Sequence, residues 1–276
     1  MSDFFTENDW AKMSEVVETD SEFIPLISPE DEDRMNLEKI PEKLPILPLR
    51  NNVLFPGVVI PITLGRDKSI KLIQDAYKGN KIIGVVSQKD STIEEPKYSD
   101  LFDVGTVAQI IRMLKMPDGS STIIIQGKKR LKLIEEVSSE PYLIAKVEEF
   151  NENRLKKISK ESMALFDSLK DMALNIIKNS PNIPSEASFA IKNIESPNFL
   201  VNFISSHMNA KVDEKQKMLE EPNINKRAQL LMKHLNKELQ ILELKNDIQS
   251  RVKTDLDQQQ KEYFLHQQMK EIQNQL

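Results

Sequence analysis

Glycine, serine, histidine and carboxylate side chains are the first residues to consider for phosphate or acyl chemistry. All seven glycines of the 276-residue chain lie between Gly57 and Gly127. Gly127-Lys128 resembles the end of a phosphate-binding loop, but position 122 is threonine and position 129 is lysine, where that loop requires glycine and serine or threonine. No G-x-S-x-G sequence is present. We therefore expect Gly127 to lie in a turn at a strand end, and we assign no nucleotide-binding residue.

The other candidates for catalysis and metal binding are scattered along the sequence. His234 and His266 are 32 residues apart on one predicted helix, roughly 48 Å by helical rise, and the third histidine is His207. The chain has no cysteine, which excludes disulfides and thiolate ligands. Adjacent carboxylates such as Glu135-Glu136 point to opposite faces of a strand. The sequence therefore predicts no catalytic residue, no metal ligand and no cofactor in this chain.

Charge divides the chain into an acidic arm and a mildly basic body. Residues 1–43 carry 13 acidic and 4 basic side chains, whereas residues 44–276 have a net charge of +4. This excess is too small to favour nucleic acid, which usually requires clustered Lys and Arg. The densest basic run, at 128–132, fits a phosphate backbone, but lysines that block pairing at a solvated strand edge are the more frequent case. The charge pattern therefore favours nucleic acid less than a protein partner.

The N-terminal segment shows no targeting signal, since residues 1–7 contain no basic region followed by a long apolar run. No apolar run approaches the ~18 residues of a membrane helix. We therefore expect a cytoplasmic protein that does not contact a membrane. Residues 1–43 are acidic, contain prolines at 25, 29 and 41, and show no sustained periodicity, so we predict a disordered arm.

From Leu44 the sequence changes to short segments rich in valine and isoleucine and separated by turn residues, which is typical of strands. The predicted strands are 44–50, 58–64, 81–86, 104–116, 121–126, 130–137 and 142–150. Phe55-Pro56-Gly57 and Pro117-Asp118-Gly119 indicate turns, and one helix is predicted at 67–77. Residues 44–150 are therefore predicted to form a mostly antiparallel β domain with one inserted helix.

After Phe150 the apolar residues recur with the helical period. The predicted helices are 155–178, 185–194, 197–208 and 211–220, and residues 151–222 would form a bundle. Residues 225–276 contain neither proline nor glycine, and these 52 residues would span about 78 Å as one helix. We expect this helix to pack on the bundle at its start and to project at its end. The predicted fold class is α+β.

An apolar row continues along the projecting part of this helix. From Leu244 to Leu256 its spacing of four residues drifts around the helix, so the row is not a clean heptad, and the surface is then polar until Tyr263. Because nothing in the chain would cover it, we predict self-association that depends on concentration. The candidate assembly residues are Leu244, Ile248, Val252, Leu256, Tyr263, Phe264, Met269 and Ile272.

Two segments resemble one known family. Residues 44–57 (LPILPLRNNVLFPG), followed by Ile60-Pro61 and Gly65-Arg66, are similar to the opening of the N-terminal domain of Lon, the ATP-dependent serine protease. Residues 261–273 (KEYFLHQQMKEIQ) are similar to the helix that leads into the Lon ATPase module. The resemblance covers about residues 44–276 and leaves out residues 1–43.

The resemblance implies a PUA-like pseudo-barrel (44–150), a helical bundle (151–222) and a long helix (223–276) that leads toward an AAA+ motor. In that family the N-terminal region engages protein substrates and helps a hexamer to assemble. The motor uses ATP and Mg²⁺, and a Ser–Lys dyad in a later domain cleaves the substrate. No catalytic or nucleotide-binding residue of the family has a counterpart here, so we expect the chain to end before the motor.

The leading hypothesis is a substrate-recognition and assembly region of a Lon-type protease that degrades unfolded, damaged or regulatory proteins. The β domain would offer apolar strand edges and loops, and flexible methionines suit varied apolar contacts, although they suit a core equally well. The alternatives are a PUA-like nucleic-acid-binding module and a free-standing LON-domain binding protein. The candidate substrate contacts are Phe55, Pro56, Met113, Leu114 and Met116.

Overall fold

The computed structural model describes residues 28–115, 121–150, 159–180 and 185–275. These residues form six strands and seven α-helices, which confirms the α+β prediction. The strands are β1 (Lys43–Leu49), β2 (Val59–Leu64), β3 (Ile82–Ser87), β4 (Val104–Lys115), β5 (Ser121–Ser138) and β6 (Ile144–Glu149). The helices are α1 (Pro29–Leu37), α2 (Asp67–Lys78), α3 (Lys160–Asn179), α4 (Ser185–Asn193), α5 (Pro197–His207), α6 (Val212–Glu220) and α7 (Ile224–Gln275).

Five of the six strands close into a barrel. The sheet order is β2-β5-β4-β3-β1-β6, and β6 also pairs with β5. Strand β5 makes this closure possible because its 18 residues pair with β2 at their start and with β6 at their end. Among the pairings of the described strands, only β1 with β3 is parallel. The predicted, mostly antiparallel pseudo-barrel is therefore confirmed.

Strand β5 is one strand where the sequence predicted two separated by a turn. The expectation of a turn at Gly127 is wrong, because β5 continues through this residue. A side chain at Gly127 would overlap the carbonyl oxygen of Phe55, so glycine allows the turn at 55–57 to lie against the strand. The pairing with β4 shifts register between Val107 and Ala108, as at a β-bulge.

One apolar core continues from the barrel into the helical bundle. Phe55, Ile73 and Ile125 of the barrel belong to the same buried cluster as Leu169 and Leu231 of the bundle. A smaller cluster, which includes Leu44, Ile46 and Leu131, fills another part of the barrel. Because the first cluster spans both parts, burial of apolar area holds the barrel and the bundle together.

Helix α1 corrects the prediction that residues 1–43 are disordered, for the part that the structure describes. The side chain of Ser28 accepts a hydrogen bond from the backbone N–H of Asp31, which caps the helix. Met35 is buried, and Ser196 of the bundle donates a hydrogen bond to Glu32. Contacts with distant parts of the chain order this segment, and its acidic composition does not reveal them.

Helix α7 is continuous over 52 residues, or about 78 Å at 1.5 Å per residue. Ala228, Leu231 and Leu235 near its start are buried, and Leu239 and Leu242 are half-buried. From residue 246 onward every side chain that the structure describes is exposed. The helix therefore packs on the bundle at its start and projects at its end, as predicted.

Candidate protein-binding surfaces

The junction between barrel and bundle contains a buried arginine from β5. Arg130 Nη1 donates hydrogen bonds to the carbonyl oxygens of Leu219 (2.6 Å) and Glu221 (2.9 Å), at the C-terminal end of α6. Its guanidinium carbon lies 4.9 Å from the centre of the Phe150 ring. The last carbonyls of a helix have no partner within the helix, so a cation placed there satisfies them and interacts favourably with the helix dipole.

A second buried arginine connects three elements across the same junction. Arg227 of α7 donates to Asn202 Oδ1 of α5 (2.6 Å), and Asn202 Nδ2 donates to the carbonyl oxygen of Pro56 (3.1 Å). Gln216 of α6 donates to the carbonyl oxygen of Val104 (2.8 Å). Buried and hydrogen-bonded polar groups of this kind fix the orientation of the bundle on the barrel.

These contacts change the interpretation of the basic run at 128–132. Lys129 and Arg130 are buried, so the predicted solvated strand edge is wrong for this pair. Lys129 Nζ lies 3.4 Å from the Glu149 carboxylate, and Arg130 contacts backbone carbonyls. The run stabilises the junction and does not present a continuous basic surface.

With α1 in place, the cleft at the junction is too small for a metabolite. Glu32 and Met35 of α1 belong to its lining, and its volume is about 30 Å³, whereas small-molecule sites usually enclose ~300–1,000 Å³. Within the described ranges, no group of three or more His, Cys, Asp or Glu side chains is arranged to hold a metal ion.

The predicted substrate contacts lie in different environments. Phe55 is completely buried in the shared core, so the structure removes it from the candidate set. Pro56 is half-buried at the junction, where its carbonyl accepts the hydrogen bond from Asn202. Met113 and Leu114 are half-buried neighbours near the end of β4, and Met113 also packs against the core. Met116 lies outside the described residues.

The edge strand β2 is a poor template for an added strand. It lies at the end of the sheet order and contains Pro61, which pairs with Ile124 of β5. A proline in a paired strand is tolerated where its nitrogen points away from the partner, because it cannot donate to the ladder. The free edge of β2 therefore lacks a donor at its centre, which disfavours the expected use of strand edges and directs attention to side-chain faces.

The apolar row of α7 contains many of the large apolar side chains that are exposed among the described residues. Leu244 is 60% exposed and Phe264 is 65% exposed. Every predicted assembly residue whose side chain the structure describes is more than half exposed, namely Leu244, Ile248, Val252, Leu256, Tyr263, Phe264 and Met269. The side chain of Ile272 lies outside those described. Contiguous exposed apolar side chains are typical of protein-interaction surfaces.

Two apolar side chains of the bundle are exposed although the sequence pattern did not predict their exposure. Phe189 of α4 is 67% exposed, because Ala187, Ala190 and Ile191 form the buried face and Phe189 lies off it. A helical wheel of this segment would have revealed Phe189. In the helix predicted at 155–178, Met163 is expected on the apolar face that packs on the bundle, but α3 leaves Met163 exposed, so that expectation is wrong.

Glu238 lies where α7 leaves the bundle and carries a shifted pKa. Burial raises the pKa of its carboxyl from 4.5 to about 7, and the nearby Lys215 ammonium lowers it only in part. Lys215 Nζ donates to the carbonyl oxygen of Ser206 (2.6 Å), and His234 Nε2 lies 3.2 Å from the carbonyl oxygen of Asn209. The base of the projecting helix therefore contains a carboxyl group that titrates near neutral pH.

No helix formed by the described residues is long and apolar enough to cross a membrane.

Comparison with known proteins gives consistent results. Residues 43–237 match the family described as the ATP-dependent protease La (LON) substrate-binding domain. The Lon protease of Flavobacterium johnsoniae is 60% identical over 94% of this chain and 32% of its own length. The Lon protease of Cytophaga hutchinsonii is 51% identical over 92% of this chain and 31% of its own length. The chain thus spans about a third of the length of these relatives.

A solved structure shows the same fold. The N-terminal domain of Mycobacterium avium complex Lon protease superposes with a TM-score of 0.58 at 19% identity, over 70% of this chain and 98% of that one. The match to the family ends at residue 237, next to Glu238 and to the point where α7 leaves the bundle.

Proposed function

The chain belongs to the Lon substrate-binding domain family, and we propose that it captures protein substrates for a Lon-type ATP-dependent protease and helps that protease to form a hexamer. The substrates that we propose are unfolded, damaged or regulatory proteins. In this proposal ATP and Mg²⁺ bind to other parts of the Lon protease, outside the third of its length that this chain matches.

The observation that carries the proposal is the distribution of apolar side chains on the surface. Met113 and Leu114 are both half-buried near the end of β4, on opposite faces of the strand, and Phe189 is exposed on the bundle. Flexible or isolated apolar side chains can contact many sequences, which suits a surface that must accept varied unfolded chains. The small volume of the junction cleft also favours protein ligands over metabolites.

Nucleic acid remains the alternative ligand class, but the junction argues against it. Arg130 and Lys129 would have to leave their contacts with Leu219, Glu221 and Glu149 to reach a phosphate backbone. That rearrangement would expose helix carbonyls and an apolar core.

The proposed substrate contact can be tested with one surface substitution. Leu114→Asp should weaken binding of a fluorescently labelled, permanently unfolded protein about fivefold, because a charge replaces an apolar contact of about 1 kcal/mol. Fluorescence anisotropy measures the Kd, and the melting temperature should not fall by more than a degree or two.

The matched control is Ile134→Asp, which places the same charge on an exposed isoleucine in the β6-paired half of β5. Equal affinity for the Leu114→Asp and unsubstituted chains, or an equal loss for Ile134→Asp, would contradict the proposed contact.

A further inference from the structure

Helix α1 lies across the junction between the barrel and the bundle. It packs on β5 of the barrel, and its Met35 is buried in the core that the two parts share. Ser196 at the N-terminus of α5 donates a hydrogen bond to Glu32 of α1. The match to the family begins at residue 43, so α1 precedes the matched domain and lies on the surface of that domain.

An acidic side chain of α1 and a lysine of β5 line the same cleft. Glu32 belongs to the acidic first turn of α1, and the lining also contains the half-buried Lys128 together with Phe150 and Phe199. The other cations of the lining are bonded within the chain, since Lys129 contacts Glu149, Arg130 donates to backbone carbonyls and Arg227 donates to Asn202. A cation next to aromatic rings suits a ligand that has acidic side chains and one apolar anchor.

The attachment of α1 is small enough to be reversible. The helix has 9 residues, and isolated helices shorter than ~12–15 residues are marginal in water. Its apolar anchor is Met35, since Leu37 is 83% exposed. Residues 38–42 connect α1 to β1, so the tether is short and holds α1 at a high effective concentration, of the order of millimolar.

We propose that this cleft is a peptide-binding site that α1 occupies within its own chain, and that it accepts an acidic amphipathic segment of a protein substrate when α1 leaves. The inference rests on the proposed function, because it names one class of segment that a substrate-binding domain would take. The tethered α1 competes with the substrate for the cleft. Acidic segments that bind with low affinity are therefore excluded, and only segments that bind with high affinity displace α1.

Peptide binding to the full 276-residue chain tests this inference. The probe is a fluorescein-labelled peptide with the sequence of residues 28–38 (SPEDEDRMNLE). Met35→Asp in the protein should release α1 and increase peptide affinity about tenfold, because the tethered competitor is gone. Adding Lys128→Glu to that variant should abolish the gain, and a peptide carrying Met35→Asp should not bind.

The control is Leu37→Asp, which adds the same charge to an exposed position of the same helix and should leave peptide affinity unchanged. Glu32→Ala is a milder variant that removes only the bond to Ser196, and it should raise affinity by a smaller factor. Circular dichroism melting shows that each variant is folded. The inference would be overturned if neither Met35→Asp nor Glu32→Ala increased peptide affinity. An equal increase for Leu37→Asp would overturn it as well.

Two further outcomes are informative. If Met35→Asp lowers the weight-average mass of the chain in sedimentation velocity, α1 is exchanged between two copies, a second copy is the occupant and the inference is overturned. The unfolded-protein assay with Leu114→Asp separates this inference from the proposed function. If Leu114→Asp weakens binding of the unfolded protein but no peptide binds at the cleft, the proposed function is supported and only the inference about the cleft is overturned.

Discussion

Gly127 shows how a single residue can be required by a distant part of the chain. Its backbone N–H donates to the carbonyl oxygen of Val58, and Gly57 N–H donates back to the Gly127 carbonyl oxygen, both at 2.9 Å. The turn at 55–57 is therefore bonded to the middle of β5. The sequence indicates a turn at Gly127 because glycine is frequent in turns, but the actual reason is the close approach of Phe55.

Gly127→Ala should lower the free energy of unfolding by about 2 kcal/mol, because the new methyl group overlaps backbone that cannot move freely. Urea denaturation measures the change. Gly65→Ala is the control, since a methyl group there meets nothing within 4 Å, and its effect should stay within about 1 kcal/mol. Equal effects of the two substitutions would show that Gly127 is not required for packing.

The raised pKa of Glu238 predicts a stability that depends on pH. The carboxyl pKa is about 7 in the folded chain and about 4.5 when unfolded, so the folded state holds the proton more tightly. The contribution of Glu238 to the free energy of unfolding is fully present below pH 4.5. It is lost as the pH rises through 7, because the buried carboxyl group must then ionise. Glu238→Gln should remove the loss and stabilise the chain by about 2 kcal/mol at pH 8.

Urea midpoints of the unsubstituted chain and of Glu238→Gln, measured at pH 5 and pH 8, test this expectation. Glu243→Gln, an exposed position on the same helix, is the control and should show no such difference. A difference between Glu238→Gln and the unsubstituted chain that is equal at the two pH values would contradict the assigned pKa.

At the scale of elements, local patterns predicted most of the helices and strands. Breakers and the 3.6-residue period delimit α5 and α7, because Pro197 begins α5 and residues 225–276 contain no breaker. Patterns failed where a distant contact decides the structure. Helix α1 is acidic and short, and it is ordered through Met35 and Glu32 at the junction. Met163 has an apolar side chain but is exposed, because another face of α3 packs on the bundle.

The exposed row of α7 predicts self-association. Ile248→Asp should reduce the weight-average mass at high concentration in sedimentation velocity, because a charge enters an apolar contact. The melting temperature should barely change, since Ile248 is exposed. Gln249→Asp adds the same charge one residue away, off the row, and should leave the mass unchanged. A strictly monomeric unsubstituted chain at high concentration would contradict the prediction.

At the scale of the molecule, the candidate surfaces follow from how the bundle covers the barrel. The spacing of residues 244–256 predicted the exposed row of α7, because exposure there depends only on helix length and composition. The burial of Phe55 could not be predicted, because its turn motif indicates an exposed loop. Only the packing of the bundle against this turn makes Phe55 part of the core. The same covering buries Arg130 and Arg227, whose acceptors come from other elements.

The length of the projecting part of α7 would amplify any change in the angle at its base. The exposed residues from 246 to 275 extend about 45 Å beyond the bundle. A tilt of about 10° at the base would displace the far end by roughly 8 Å over this length. Glu238, Lys215 and His234 lie at this base, where Lys215 Nζ donates to the carbonyl oxygen of Ser206 and His234 Nε2 lies 3.2 Å from the carbonyl oxygen of Asn209. Sub-ångström repacking around them would therefore be amplified into a movement larger than a side chain at the other end of the helix.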